Sequence, residues 1–333
     1  MKKIILLLLL VLFVVSGCGK ENKENLIKKF KDKVASSKAY ELKATMEIYS
    51  DEDTYKYDVT VSFKKDDFYR VSLINQTNSH EQLIIKNEEG IYVVTPTLNK
   101  SFKFQSEWPK NSSQAYLLHS LVDDLNKEGL KELTENESGY EITTKVNYPN
   151  NPDLVSGKMY FNKDMDLKKV EVLGADGKVK IKVEITSIDL RANFRDEHFS
   201  LDDVLEEECC EEDTTTNKIE DIIYPLYVPA DTYLTGKDTI LLNKGERVIL
   251  TFSGDKGFIL VEETINIPRE LEIIPVYGEP VFLNDTIAAL SGNSLRWAKN
   301  NVEYYLTSNV LSPAELTVIA ESLENATATA SEK

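Results

Sequence analysis

Tyr40-Glu41-Leu42-Lys43-Ala44-Thr45-Met46-Glu47-Ile48 decides the fold, together with Tyr55-Lys56-Tyr57-Asp58-Val59-Thr60-Val61-Ser62-Phe63 a few residues on. In both stretches every second side chain is apolar or aromatic, and the residues between are polar or charged. A β-strand sends successive side chains to opposite faces, so a period of two specifies strands with one wet face and one buried face. That pattern belongs to an antiparallel sheet.

Outward from this pair the same grammar continues. Tyr69-Arg70-Val71-Ser72-Leu73 leads to a strand over 82–86. Asn87-Glu88-Glu89-Gly90 is a turn into a strand over 91–95, and Phe102 and Phe104 close that region. Further strands are predicted over 140–148, 157–161 and 167–173, and Asp176-Gly177 is a hairpin turn into Val179, Ile181, Val183 and Ile185. Two segments switch to the helical period. Leu26, Ile27, Phe30 and Val34 recur among lysines, which predicts a helix over about 24–36. Leu117, Leu118, Leu121, Val122 and Leu125 predict one over about 113–125, with Gly129 just beyond its end. A one-layer sheet cannot bury its own apolar face, so the helices must cover it. The expected fold is mainly β with α: eight to ten antiparallel strands in an unclosed half-barrel wrapped on helices, over residues 24–200.

Residues 202–213 hold eight acidic side chains and no basic one, which marks 201–222 as an acidic linker. A smaller α+β C-terminal domain is expected over 223–324, with strands over 239–242, 247–252, 257–262, 280–283 and 302–306. Its helix is signed by Ser312 as N-cap, Pro313 at the first position and Glu315 completing a capping box, with Leu316, Ile319, Ala320 and Leu323 on its apolar side. The polar tail 325–333 is expected to be disordered.

The chain opens with Lys2 and Lys3, an apolar run from Ile4 to Val15, then Val15-Ser16-Gly17-Cys18. At 1.5 Å per residue a helix over that run spans roughly 18 Å, short of the ~30 Å hydrocarbon core. It reads as a signal peptide over 1–17, with Cys18 at a lipobox as the lipidated new N-terminus and 18–23 as a tether. Two acyl chains give stable anchoring where one is marginal. The expected location is the extracytoplasmic face of the cell membrane, held by a diacylglyceryl anchor and a candidate for added palmitate. The formal net charge of −17 becomes −19 without Lys2 and Lys3, which argues against nucleic acid as a partner.

Catalytic signatures are absent. The sequence has no Gly-rich phosphate loop, no Gly-x-Ser-x-Gly and no His-Glu-x-x-His. Cys209 and Cys210 are adjacent, and His80, His119 and His198 are scattered, which is not metal-ligand spacing. No catalytic residue, no metal and no cofactor is expected, and the chain is expected not to be an enzyme. The inward set Leu42, Ala44, Met46, Ile48, Tyr57, Val59, Val61 and Phe63 either lines an apolar cavity or forms a packed core. Trp108 and Trp297 read as partly buried at the domain boundary, with partner anchors as the alternative.

Phe68-Tyr69-Arg70-Val71, then Leu83-Ile84-Ile85-Lys86-Asn87-Glu88-Glu89-Gly90-Ile91-Tyr92-Val93-Val94-Thr95-Pro96-Thr97-Leu98-Asn99-Lys100, resembles the LolA family of outer membrane lipoprotein carriers. The continuation from Ser101 to Gln114, with Trp108-Pro109 inside it, is more similar to LolA-like lipoproteins of spore-forming Firmicutes, the YdcC-like sporulation lipoproteins and, more distantly, the GerS-like germination lipoproteins. Tyr277-Gly278-Glu279-Pro280-Val281, Ala289-Leu290-Ser291-Gly292 and Leu295-Arg296-Trp297 resemble the C-terminal domains of RseB-like sensors. The resemblance implies an apolar cavity under a helical lid. Two departures matter: the chain is anchored where carriers are soluble, and Lys65 and Asp66 stand where carriers have an Arg-Pro pair whose arginine latches the lid. Lysine lacks the planar fork of such a latch. The functional expectation is a non-enzymatic, membrane-anchored binding module for an envelope protein partner or an apolar ligand, in sporulation or germination. The alternative is a lipid- or lipoprotein-binding chaperone that takes an acyl chain in the half-barrel.

Overall fold

The computed structural model describes residues 23–50, 53–129, 131–201, 204, 218–219, 221–268 and 270–330, with side chains as far as 323. The signal segment, Cys18, Cys209 and Cys210 lie outside the described residues. Helix α1 (Lys23–Ala35) leads into β1 (Ala39–Tyr49) and β2 (Thr54–Lys64), the two strands of the deciding alternation. They pair antiparallel, Leu42 opposite Val61 and Met46 opposite Tyr57, so both apolar sets fall on one face. β3 (Phe68–Asn75), β4 (Glu81–Asn87), β5 (Gly90–Thr95) and β6 (Lys100–Phe104) extend the sheet on one side. Helix α2 (Leu118–Asn126) follows. Then β7 (Lys131–Glu135), β8 (Tyr140–Lys145), β9 (Leu154–Phe161), β10 (Leu167–Gly174) and β11 (Val179–Asp189) return to pair with β1 from the other side, in the order β1-β11-β10-β9-β8-β7. Gly177, at φ +77°, makes the β10–β11 turn that Asp176-Gly177 predicts.

The sheet stays open and its apolar face is covered by α1 and α2. Leu26, Phe30 and Val34 of α1 and Leu118, Leu121 and Leu125 of α2 share one core with the inward strand residues. Phe30 meets Phe161 edge-on at 5.0 Å between ring centres. Each such buried side chain is worth roughly 1.5–3 kcal/mol, so the helices are held by packing on the sheet. Helix α2 starts later than its periodicity suggests. The segment before it is fixed otherwise: Ser120 Oγ accepts the Gln114 N–H at 2.7 Å, and Ser113 Oγ donates to Asp124 at 2.7 Å. Those bonds compete with a helix over 113–117.

A second, seven-stranded antiparallel sheet comes from the C-terminal part: β12 (Thr232–Leu241), β13 (Glu246–Gly254), β14 (Phe258–Thr264), β16 (Glu279–Phe282), β17 (Ile287–Ser291), β18 (Ser294–Lys299) and β19 (Val302–Thr307), in the order β12-β13-β14-β19-β18-β17-β16. Helix α3 (Pro313–Ala330) packs on it through Leu316, Ile319, Ala320 and Leu323, in one core with Trp297 and Leu250. The capping box forms as its sequence requires. The Ser312 N–H donates to Glu315 Oε2 at 2.8 Å, and the Glu315 N–H donates to Ser312 Oγ at 3.3 Å.

Three expectations are corrected. The C-terminal domain is not self-contained, because β15 (Glu272–Val276) leaves it and pairs in parallel with β6, making the first sheet twelve-stranded. Pro275 is tolerated there because β15 is an edge strand. Secondly, the ends of the expected linker are seated. Val204 packs on Leu83, Ile85, Tyr92 and Val94, and Ile219 joins the second core. Thirdly, residues 325–330 of the expected disordered tail continue α3; Ala326, Ala328 and Ala330 are strong helix formers, and no glycine or proline stops the turn.

Candidate functional site

A cavity of about 550 Å³ lies where the open end of the half-barrel meets the second sheet. That volume falls within the range of small-ligand sites. Its floor is Met46 and Ile48 of β1, Ile84 of β4 and Ile181 of β11. One wall is the 108–116 segment with Trp108, Ala115 and Tyr116, and another is the 148–154 loop. Val281, Phe282 and Leu283 close the third side, and Ala314, Thr317, Val318 and Glu321 of α3 close the fourth. Helix α3 is therefore two-faced: one stripe is core, and the other is cavity wall.

Polar groups fix the walls to each other. Glu279 accepts hydrogen bonds from the side-chain amides of Asn111 and of Asn150, the latter at 2.6 Å, which ties β16 to both loops of the half-barrel. Tyr57 OH donates to the Asn284 carbonyl at 2.9 Å, and Gln82 Oε1 accepts the Ile287 N–H at 2.8 Å. Tyr116 OH donates to Gln114 Oε1 at 2.9 Å. Burial pushes the Tyr116 phenol well above its usual range. It does the same to Tyr148, helped by the charge of Asp124. Both therefore act as neutral, amphipathic wall. Burial also pushes the Glu321 carboxyl up to about 7.

The eight inward residues divide. Met46 and Ile48 line the cavity. Leu42, Ala44, Tyr57, Val59, Val61 and Phe63 are packed core, each 5% exposed or less. Around Phe63 the packing is aromatic, with Tyr40 stacked at 5.0 Å and His119 at 4.2 Å. Trp108 is buried, edge-on to Tyr69 at 5.9 Å, and Trp297 stacks on Tyr304 inside the second core at 5.2 Å. Neither tryptophan is a surface anchor.

Among the described residues, Lys65 and Asp66 form no latch to a helix. The Lys65 N–H bonds the Lys38 carbonyl at 2.7 Å, and Asp66 turns the chain at φ +78°. The ion pair at that corner belongs to Asp67, with Lys86 at 2.8 Å and Lys110 at 3.1 Å; Lys86 also donates to the Trp108 carbonyl at 2.9 Å. Burial works against the Asp67 carboxylate, but the two lysines outweigh it and hold the group below its usual range.

The Tyr148-Pro149-Asn150-Asn151-Pro152 loop and Glu321 were not singled out by sequence, and Glu279 entered only as part of a resemblance. A helical wheel of α3 would have placed Val318 and Glu321 opposite the apolar stripe. Nothing local marks the rest, because the walls come from both ends of the chain. Among the described residues, no three His, Cys, Asp or Glu side chains are grouped to hold a metal ion, and no helix is long and apolar enough to cross a membrane.

A family model described as sporulation protein YdcC-like matches residues 1–199. Over 330 residues the chain is 36% identical to the sporulation protein YdcC of Bacillus subtilis (strain 168), covering 97% of each. The chain belongs to the YdcC-like sporulation protein family. Among solved structures it matches MucB at 12% identity, covering 91% of this chain and 98% of that one, with a TM-score of 0.34. It matches a chain in the complex of the Clostridioides difficile CwlD amidase with the GerS lipoprotein at 17% identity, covering 53% and 98%, with a TM-score of 0.31. A LolA superfamily protein from Nitrosomonas europaea gives 10% identity, 55% and 99% coverage, and a TM-score of 0.33. At those scores the architecture of this YdcC-like chain rests on its own open sheets and helices.

Proposed function

We propose that this YdcC-like chain is an extracytoplasmic lipoprotein, anchored in the cell membrane through Cys18, that works in sporulation as a non-enzymatic binding module with the cavity between its two sheets as the binding site. The carrying observation is that cavity, with its apolar floor of Met46, Ile48, Ile84 and Ile181. An interior is normally close-packed, so a void of this size, joined to polar wall groups, suits an occupant better than stability. The same cavity supports the reading as a lipid- or lipoprotein-binding chaperone. Anchoring favours a module that stays at the membrane and engages an envelope partner there.

Anchoring is tested by labelled palmitate, which the Cys18→Ala chain should not incorporate; a variant that still takes up label defeats the lipobox. The cavity is tested by mass spectrometry of organic extracts from the purified chain, compared with a variant carrying Ile48→Trp to fill the floor. An extract ligand present in the native chain and lost in the variant supports the binding module. Extracts that are empty for both, with decanol also failing to bind, defeat it.

A further inference from the structure

Helix α3 puts two carboxyls, Glu315 and Glu321, at the cavity, and only Glu315 has a partner among the described residues. Ala314, Thr317, Val318 and Glu321 follow the helical repeat, so they form one stripe toward the cavity, while Leu316, Ile319, Ala320 and Leu323 are held in the second core. The helix cannot rotate Glu321 away without pulling that stripe from its core. Glu321 is partly buried, and among the described residues its carboxyl makes no hydrogen bond and no ion pair. Its neighbours are already engaged. Glu279 is held by Asn111 and Asn150, and Glu315 by its own helix cap and by Lys256 at 2.9 Å. A half-buried carboxyl with no donor inside the protein is the acidic group of this wall still open to a donor brought by a ligand. Three of the other charged groups at the cavity, Asp153, Glu279 and Glu315, are also acidic, against one lysine, Lys180 on β11.

We propose that the cavity takes a single-chain amphiphile with an amine head, its tail on the Met46–Ile48–Ile181 floor and its ammonium on Glu321, and that it rejects the equivalent carboxylate. This inference rests on the cavity being a binding site. The acidic wall repels an anionic head, whereas an ammonium gains a charge-assisted hydrogen bond in a partly desolvated place. Because burial pushes the Glu321 carboxyl up to about 7, it is only part-ionised near neutrality. Amine affinity therefore rises as pH climbs through 7. Lys180 in the same lining opposes it, while Glu279, Glu315 and Asp153 add to it.

The probes are decylamine, decanol and decanoate, below their aggregation limits, titrated calorimetrically into the full chain carrying Cys18→Ala, so that no covalent acyl chain competes. Decanol should bind, and decylammonium should bind at least roughly tenfold more tightly than decanoate, the size of one charge-assisted hydrogen bond. Glu321→Gln should collapse that preference and flatten the rise of amine affinity with pH, while decanol still binds. Glu321→Lys should reverse the preference toward decanoate. If decanol binds but amine and carboxylate bind alike, or if Glu321→Gln leaves the preference intact, the head assignment is wrong while the cavity reading stands. If an apolar lysine-bearing peptide binds and decylamine does not, the amphiphile is wrong. If no probe binds, the cavity reading fails and takes this inference with it.

Discussion

Ala44 shows what the period-two reading could and could not resolve. It placed Ala44 on the inward face, and Ala44 is there, 5% exposed between Val59 on β2 and Ile185 on β11. Whether that face was void or packed could not be read, because alternation reports a side chain's direction and not what stands opposite. The site is packed, so Ala44→Trp should destabilise the fold by about 1–3 kcal/mol through overpacking. Urea denaturation checks this, and an unchanged midpoint would mean that space exists there after all. Glu262 is a second residue that the sequence hides. It is fully buried on β14, and its hydrogen bonds come from the Ile223 backbone N–H, at 3.0 and 3.3 Å. Burial pushes the carboxyl up to about 7, against the opposing pull of the Ile223 N–H and of Lys237. The folded state thus holds a proton that the unfolded chain releases near 4.5. Stability from this group is full below that pH and falls as pH rises through 7. Glu262→Gln should remove this part of the pH dependence, on the order of a few kcal/mol between pH 5 and 8. Parallel stability curves for the two chains would refute it.

At the scale of elements, helix α3 was legible at its start and not at its end. Ser312, Pro313 and Glu315 act within one turn, so local sequence suffices, and both capping bonds form. The Ser312 hydrogen bonds, first through its backbone N–H, and then Lys256 hold the Glu315 carboxyl down at about 2. A depressed acid stabilises above its unfolded value and loses that contribution as pH falls toward the folded one. The α3 helix signal in circular dichroism should therefore weaken as pH drops from about 4.5 to about 2, less so in Glu315→Gln. Ser312→Ala should cost about 1 kcal/mol in urea denaturation, because it leaves a first-turn N–H without its cap. An unchanged midpoint would show that packing of Leu316 and Ile319 alone sets the helix start. Strand β15 is the opposite case. Glu272-Ile273-Ile274-Pro275-Val276 has no clean alternation and carries a proline, so no local rule marks it as a strand. It exists because β6 offers an unpaired edge, and a parallel partner far along the chain is invisible to a window of ten residues.

On the scale of the whole molecule, the acidic run divides the sequence but not the structure. Its composition breaks sharply, which is why two separable units are the natural reading of the sequence. Long-range contacts then tie the units together. β15 completes the first sheet, and Lys100 on β6 reaches Glu303 on β19 at 3.1 Å. Burial acts against the Glu303 carboxylate, but Arg296 at 2.7 Å and Lys100 hold it below its usual range, so a largely buried ion cluster spans the two sheets. Removing one partner of such a cluster is far more damaging than a surface pair, since the other charge stays behind unpaired. Cleavage by a glutamate-specific protease within 205–217 should therefore give two fragments that remain together. They should co-elute in native size-exclusion chromatography and melt in one transition, as contacts between the halves bury the β6 edge that separation would expose. Lys100→Ala combined with Pro275→Asp should loosen that joint and let the fragments part. If the nicked native chain already separates without denaturant, β15 pairing and the ion cluster are too weak to hold the halves. The cavity between the sheets would then open with them, and decanol binding should vanish on nicking.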